Sequence, residues 1–349
     1  MIHLALDARS VQERPMGGVG RVTARVVPQL LDRVEIELLT AAERPKLDWE
    51  LPQHAMATPW PGVASGWLQG PAARWLRGFD GIFHCPWYAL PLRQHVPMVV
   101  TLHDLTFEHF PQWFGPRHRW PYRIQARWAA RTARVVVTVS NVVADDIMRT
   151  YGVPAARIVV APNAADPTFG PERDASAALR SLGVSNDYVV AIAGAARRNL
   201  PVAMAAWRAA RAEHPIDLVV VGTDDVPDEP GVFGGRPDDE GWAAILANAR
   251  ALVYPTLYEG FGLPALEAAA SGTPVVCAPV GSLPEVLGEA AVWCESPAVP
   301  AITAGLLRLL DSPGYAEEVR AAGLRRAAEH PSWADCADAY YEAYRLASS

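Results

Sequence analysis

The sequence predicts an α/β protein built from two doubly wound, Rossmann-like parallel-sheet domains facing a cleft. Short apolar runs alternate with amphipathic helical stretches through both halves, the pattern of βα units in a parallel sheet. A length of 349 residues suits two domains of ordinary size, each able to bury a core. Between the two alternations lies a proline-bearing stretch without periodicity, residues 162–171, which reads as a linker.

Composition narrows the function classes. Half the residues are hydrophobic (50%) and a fifth charged (20%), so the chain is globular rather than disordered. A net charge of −7 gives no support to general binding of nucleic acid or anionic membranes. Residues 2–8 read as a strand directly after Met1, so no signal peptide is expected. No apolar run is long enough to span a bilayer. Cys85, Cys277, Cys294 and Cys336 are scattered without a C-x-x-C pair, which suggests neither a disulfide framework nor a zinc site and fits a reducing cytoplasm. Lys46 is the only lysine.

In the first half, 2–7 is a short apolar strand, 9–20 a loop ending in GGVG, and 21–31 a helix. Strand, glycine loop and helix suit a phosphate or sugar, and a plain turn fits as well. Asp7 ends the strand and either orients the loop or is a buried structural acid. A second strand, 35–40, precedes residues 41–78, rich in Pro, Trp and Gly and without period, which read as loops and a short helix near an acceptor pocket. Strands 81–85 and 97–103 follow. The latter ends in TLHDL and so puts His103 at its carboxyl end, where open α/β sheets bind ligands.

The segment RHRWPYRIQARWAAR, 117–131, is basic and aromatic. It is either a membrane-surface or acceptor-phosphate face, or a solvated helix whose Trp120, Ile124 and Trp128 pack inward at helical spacing. The second is expected, since the segment is short and the chain acidic. Ser140, closing a strand over 134–140, caps a helix that ends near Gly152.

The second half repeats the alternation: strand 188–194, helix 201–213, strand 216–222. Asp224, Asp225 and Asp228 read as a solvated turn rather than a metal site. A helix over 238–248 leads to the apolar run 251–256, a buried parallel strand. Then comes YEGFGLPALEAAASGTPVV, 258–276. Glu259 lies on its loop, and Glu267, eight residues on, in the first turn of a helix that Pro264 begins. Gly260 and Gly262 let the backbone turn sharply and approach a ligand. The free N–H groups at the helix start suit a phosphate, and the two carboxylates suit sugar hydroxyls. A nucleotide sugar has both.

With its internal FGLP, small-residue helix and GTPVV, this stretch resembles the E-x7-E signature of retaining GT-B glycosyltransferases of family 4. Other matches fall in order. GGVG with Arg21 resembles the family's GGIGR loop, and VSNVVADDIMRTYGVPAARIVVAPNAAD its last first-domain unit. GSLPEVLGEAAVW matches the helix-and-strand continuation, and the chain from Ser332-Trp333 onward the terminal helix. The resemblance implies a GT-B fold with domains 1–166 plus 332–349, and 167–331. It implies that Glu259 contacts the donor sugar, Glu267 the ribose, and His103 the outer sugar hydroxyls. Arg197 and Arg198 in GAARRNL, pointing in different directions, with the amides of Gly262 and Leu263, would meet the diphosphate. Arg198 would take the role of a family lysine. Gly17, Gly18 and Gly20 would border the donor, as would Gly260 and Phe261, while Val232 and Phe233 would line the base. Retention by front-face attack is implied, with no metal and no cofactor beyond the nucleotide-diphosphate sugar. The acceptor would be a hydroxyl on a glycan, lipid-linked glycan or small molecule. No nucleic-acid partner is implied, membrane association is at most peripheral, and the location is cytoplasmic. Ala195, Ala164 and the short 223–231 loop depart from the family pattern. They leave open a non-catalytic donor-binding subunit, beside a sugar-nucleotide epimerase on the same fold; a phosphorylase would need a cofactor lysine, and Lys46 is badly placed.

Overall fold

The computed structural model describes residues 1–13, 16–44, 46–57 and 64–349. The chain divides into a first unit, Met1–Asn163 with Pro331–Ser349, and a second, Ala164–His330.

The first unit is built on a seven-stranded sheet of order β3-β2-β1-β4-β5-β6-β7, parallel throughout. Its strands are β1 (Ile2–Asp7), β2 (Val34–Ala41), β3 (Gln53–Met56), β4 (Ile82–Cys85), β5 (Met98–Leu102), β6 (Val135–Thr138) and β7 (Ile158–Val160). The runs MVVTL and VVVT of β5 and β6 are buried at every position, as a parallel sheet covered on both faces requires. Strand β3 falls in the segment expected to be loops and a short helix. It is a four-residue edge strand, mostly half-buried, so it carries neither an apolar run nor an alternation. Residues 45 and 58–63 of that segment lie outside the described residues.

Ser140 caps the helix Asn141–Tyr151 by accepting from Val143 N–H at 3.3 Å, and Gly152 closes it in the left-handed region at φ 70°. The last helix, Trp333–Ser348, starts at a capping box of Ser332 and Asp335. It belongs to the first unit, burying Cys336, Tyr340 and Tyr344 against the β-sheet. Tyr344 donates to Nδ1 of the buried His84 at 2.8 Å, and Nε2 of His84 meets Thr101 Oγ1 at 2.9 Å, so one imidazole ties this helix to β4 and β5.

The second unit has a six-stranded parallel sheet of order β10-β9-β8-β11-β12-β13. Its strands are β8 (Tyr188–Ile192), β9 (Asp217–Val221), β10 (Val232–Gly235), β11 (Ala251–Tyr254), β12 (Val275–Cys277) and β13 (Ala291–Trp293). In both sheets the strand order reverses once, between β1 and β4 and between β8 and β11. Ligands of open α/β sheets lodge beyond the strands' carboxyl ends at such points.

Candidate active site

At the second unit's switch point, the loop after β8 meets the loop after β11. Arg197 and Arg198 end a short 3-10 turn, Ala196–Arg198, and Asn199 follows in the left-handed region at φ 54°. Its side chain holds that conformation by donating to Pro255 O at 3.2 Å and Pro297 O at 3.3 Å. Leu257 N–H donates to Arg197 O at 2.8 Å and Thr256 Oγ1 to the same carbonyl at 3.1 Å, latching the two loops together.

This latch delivers both arginines to one carboxylate. Glu259 is buried, at 4% exposure, and an unpaired buried charge would cost several kcal/mol. Its Oε1 takes Arg197 Nη1 at 2.9 Å, Arg198 Nη1 at 3.4 Å and the Tyr254 hydroxyl at 2.5 Å, while Thr256 Oγ1, whose proton goes to the nearer Arg197 O, lies 3.4 Å away. Its Oε2 accepts no bond from a described residue. Arg198 also donates to the Tyr254 hydroxyl. Burial pushes the Tyr254 phenol well above its ordinary value, so it stays protonated and donates to Glu259. The expectation that the arginines point apart is corrected: a tight 3-10 turn brings both onto the same oxygen. Tyr254 and Thr256 were missed because they sit inside an apolar strand run. Their hydroxyls, at a strand's carboxyl end, were the available signal.

The helix after this loop, Leu263–Ala270, begins at Gly262, whose φ of 96° favours glycine and where a Cβ would meet Leu283 Cδ2 at 2.6 Å. The N–H groups of Gly262 and Leu263 precede the first intrahelical bond and donate to no described residue. Ser282 N–H donates to Glu259 O at 3.1 Å and Ser282 Oγ to Phe261 O at 2.7 Å, so the loop after β12 clamps the Gly-Phe-Gly turn. Gly281 permits this approach, since a Cβ there would meet Glu259 O at 2.1 Å.

Three expected placements are revised. Glu267 lies past the first turn, which contains no acid; it is buried and accepts from Trp242 Nε1 at 2.9 Å. Phe261 is buried edge-on to His330, ring centroids 5.7 Å apart, and braces the loop from inside. Val232 is the first residue of β10, in the hydrophobic core. It therefore sits at the strand end away from ligands and two strands from the switch point, while Phe233 packs toward Gly183. Asp224 forms an exposed ion pair with Arg236 at 3.1 Å.

In the first unit, the glycines expected in a loop start a helix instead: Gly17 is the N-cap of Gly18–Val26. A Cβ at Gly20 would strike Ser10 O at 2.4 Å, so glycine there serves packing. At Gly18 a Cβ would meet nothing within 4 Å. Asp7 is buried and holds Arg9 in a fork, Nε to Oδ1 at 2.9 Å and Nη2 to Oδ2 at 2.7 Å, fixing the loop before these glycines. His103 follows β5 and donates Nε2–H to Pro86 O at 3.2 Å, which leaves Nδ1 as an acceptor. Burial lowers its pKa, so the ring is neutral at pH 7.

Among solved structures, sucrose-phosphate synthase from Thermosynechococcus elongatus aligns over 100% of both chains, with a TM-score of 0.77 at 18% identity. The fold is thus GT-B. Residues 16–169 match the Glycosyltransferase Family 4 model and 187–312 that of Glycosyl transferases group 1. O-antigen chain mannosyltransferase B of Escherichia coli is 33% identical over 296 residues, 76% of this chain and 74% of that protein. Alpha-maltose-1-phosphate synthase of Mycolicibacterium smegmatis is 31% identical over 292 residues, 73% and 74% of the two chains. The chain belongs to glycosyltransferase family 4.

Proposed function

We propose that the protein moves a hexose from a nucleoside-diphosphate sugar to an acceptor hydroxyl, with retention at the anomeric carbon and without a metal ion. The convergence of Arg197 and Arg198 on Glu259 at the second unit's switch point carries this reading. The diphosphate takes the two arginines and the amides of Gly262 and Leu263, which supply the positive charge otherwise asked of a metal. Glu259, held through one oxygen by Tyr254, offers its other oxygen to a sugar hydroxyl. Glu267, oriented by Trp242, accepts from the ribose. The bond from the anomeric carbon to the phosphate oxygen breaks as the acceptor oxygen bonds to the same face. The acceptor's proton passes to the departing phosphate. Two family relatives named for mannosyl transfer and maltose-1-phosphate synthesis support a hexose.

The test is a thermal-shift screen of UDP, GDP, ADP and dTDP, followed by NMR of the product formed from the matching hexose donor with and without EDTA. The cognate nucleotide at about 100 times its Kd stabilises by about 2.7 kcal/mol. The product keeps the donor's anomeric configuration, and EDTA changes nothing. An inverted product, an epimerised donor or activity restored only by Mg²⁺ overturns the corresponding part.

A further inference from the structure

The helix Pro116–Thr132 in the first unit carries Arg117, Arg119, Arg123, Arg127 and Arg131 and no acidic residue, inside a chain of net charge −7. Trp120, Ile124 and Trp128 were expected to pack inward; they are 56%, 65% and 38% exposed. The face turned to the sheet is made by Ala126, Ala129 and Ala130, all fully buried. Small residues let a helix lie close on its neighbours, and that rotation puts the large apolar side chains outside. At intervals of four, the three form one stripe along the helix. Arg127 and Arg131 are exposed on the same face, and neither pairs with a carboxylate among the described residues; Arg131 Nε donates to Tyr151 O at 3.0 Å, which leaves its terminal nitrogens outward. Arg123 is at the edge, bonded to Glu108 at 2.6 Å and stacked 5.2 Å from the Trp120 ring.

We propose that this face docks the protein, peripherally and reversibly, on an anionic lipid bilayer. Trp120, Ile124 and Trp128 enter the boundary between headgroups and acyl chains, and Arg127 and Arg131 meet lipid phosphates. A helix apolar on one side and arginine-rich beside it lies in the plane of such a surface, where indole rings favour headgroup depth. At 17 residues, interrupted by arginines, it is unsuited to spanning. The net charge does not oppose docking, because charges act within a Debye length of about 8–10 Å and this face is locally positive. A nucleic acid would fit the arginines but not the exposed Ile124. A second copy of the chain would bring the same arginines into mutual repulsion. The inference is independent of the glycosyl-transfer reading.

The experiment is co-sedimentation of the full chain with vesicles of phosphatidylcholine alone or mixed equally with phosphatidylglycerol. Binding is expected only to the mixed vesicles, weakened by salt, with a blue shift in tryptophan emission. The variant W120A/I124A/W128A should partition about tenfold less or weaker, with unchanged Tm and nucleotide thermal shift because these side chains are exposed; R127E/R131E, which also loses the Arg131–Tyr151 bond, should partition less as well and keep the nucleotide thermal shift. No binding of the native chain to mixed vesicles, or equal binding by the triple variant, overturns the proposal. So does a dimer that the triple variant abolishes, or RNA binding that R127E/R131E abolishes, in the absence of vesicle binding.

Discussion

Glu259 Oε1 collects three donors, and its two cationic partners are equivalent in reach if not in distance. Both arginines should therefore matter. Arg198→Ala should lower kcat about 10²–10³-fold, the scale for one lost donor to developing negative charge, and Arg197→Ala should fall in the same range. Arg198→Lys should be intermediate, since it restores the charge but not the fork. Measured kcat with the cognate donor decides; a near-normal Arg197→Ala would mean that this side chain serves only to hold Glu259. At Glu267 the partner supplies a control that the sequence did not offer. Glu267→Ala should weaken nucleotide binding about tenfold or more, by loss of a charged hydrogen bond of roughly 1.5–3 kcal/mol. Trp242→Phe should keep the carboxylate but remove one of its donors, giving a smaller loss. Calorimetric titration with the free nucleotide measures both, and unchanged affinity in Glu267→Ala would remove the ribose assignment.

At the level of elements, the two glycines of the first helix separate packing from ligand approach. Gly20→Ala drives a Cβ into Ser10 O, so it should destabilise by about 1–3 kcal/mol, seen as a lower urea midpoint. Gly18→Ala meets open space and should hold stability within about 0.5 kcal/mol while weakening donor affinity. Equal donor affinity in Gly18→Ala would leave this helix start without a ligand role. The elements readable from sequence were those with two-sided burial, such as β5, β6 and β11, whose apolar runs have no other explanation. What escaped was exposed or small. Strand β3 sits at an edge, and the Pro116–Thr132 helix buries alanines where size alone favoured tryptophan. The site was legible wherever charge and glycine stood together in one motif. It was illegible where a residue's role came from a partner distant in sequence, as Trp242 with Glu267 or Ser282 with Phe261.

For the molecule as a whole, His84 makes the first unit acid-sensitive. Burial, aided by the nearby His103, lowers its pKa from 6.5 to about 3. The unfolded chain takes up the proton near pH 6.5 and the folded one only near 3, so this contribution is complete above about 6.5 and is lost as pH falls through that window. The loss runs at about 1.4 kcal/mol per pH unit. Urea midpoints taken across that range should fall steeply for the native chain and less steeply for His84→Gln, which has no proton to gain. Equal slopes would assign the acid response elsewhere. The order of the chain has one more consequence. Unit two is a single continuous segment, while unit one waits for Trp333–Ser348, which is made after all of it. At about 5–20 residues per second, the first sheet exists for roughly ten to thirty seconds without its closing helix during synthesis. The half of the protein translated first is thus the half that finishes folding last, and the nascent chain must keep the surface around His84 and Thr101 from sticking until Tyr340 and Tyr344 arrive.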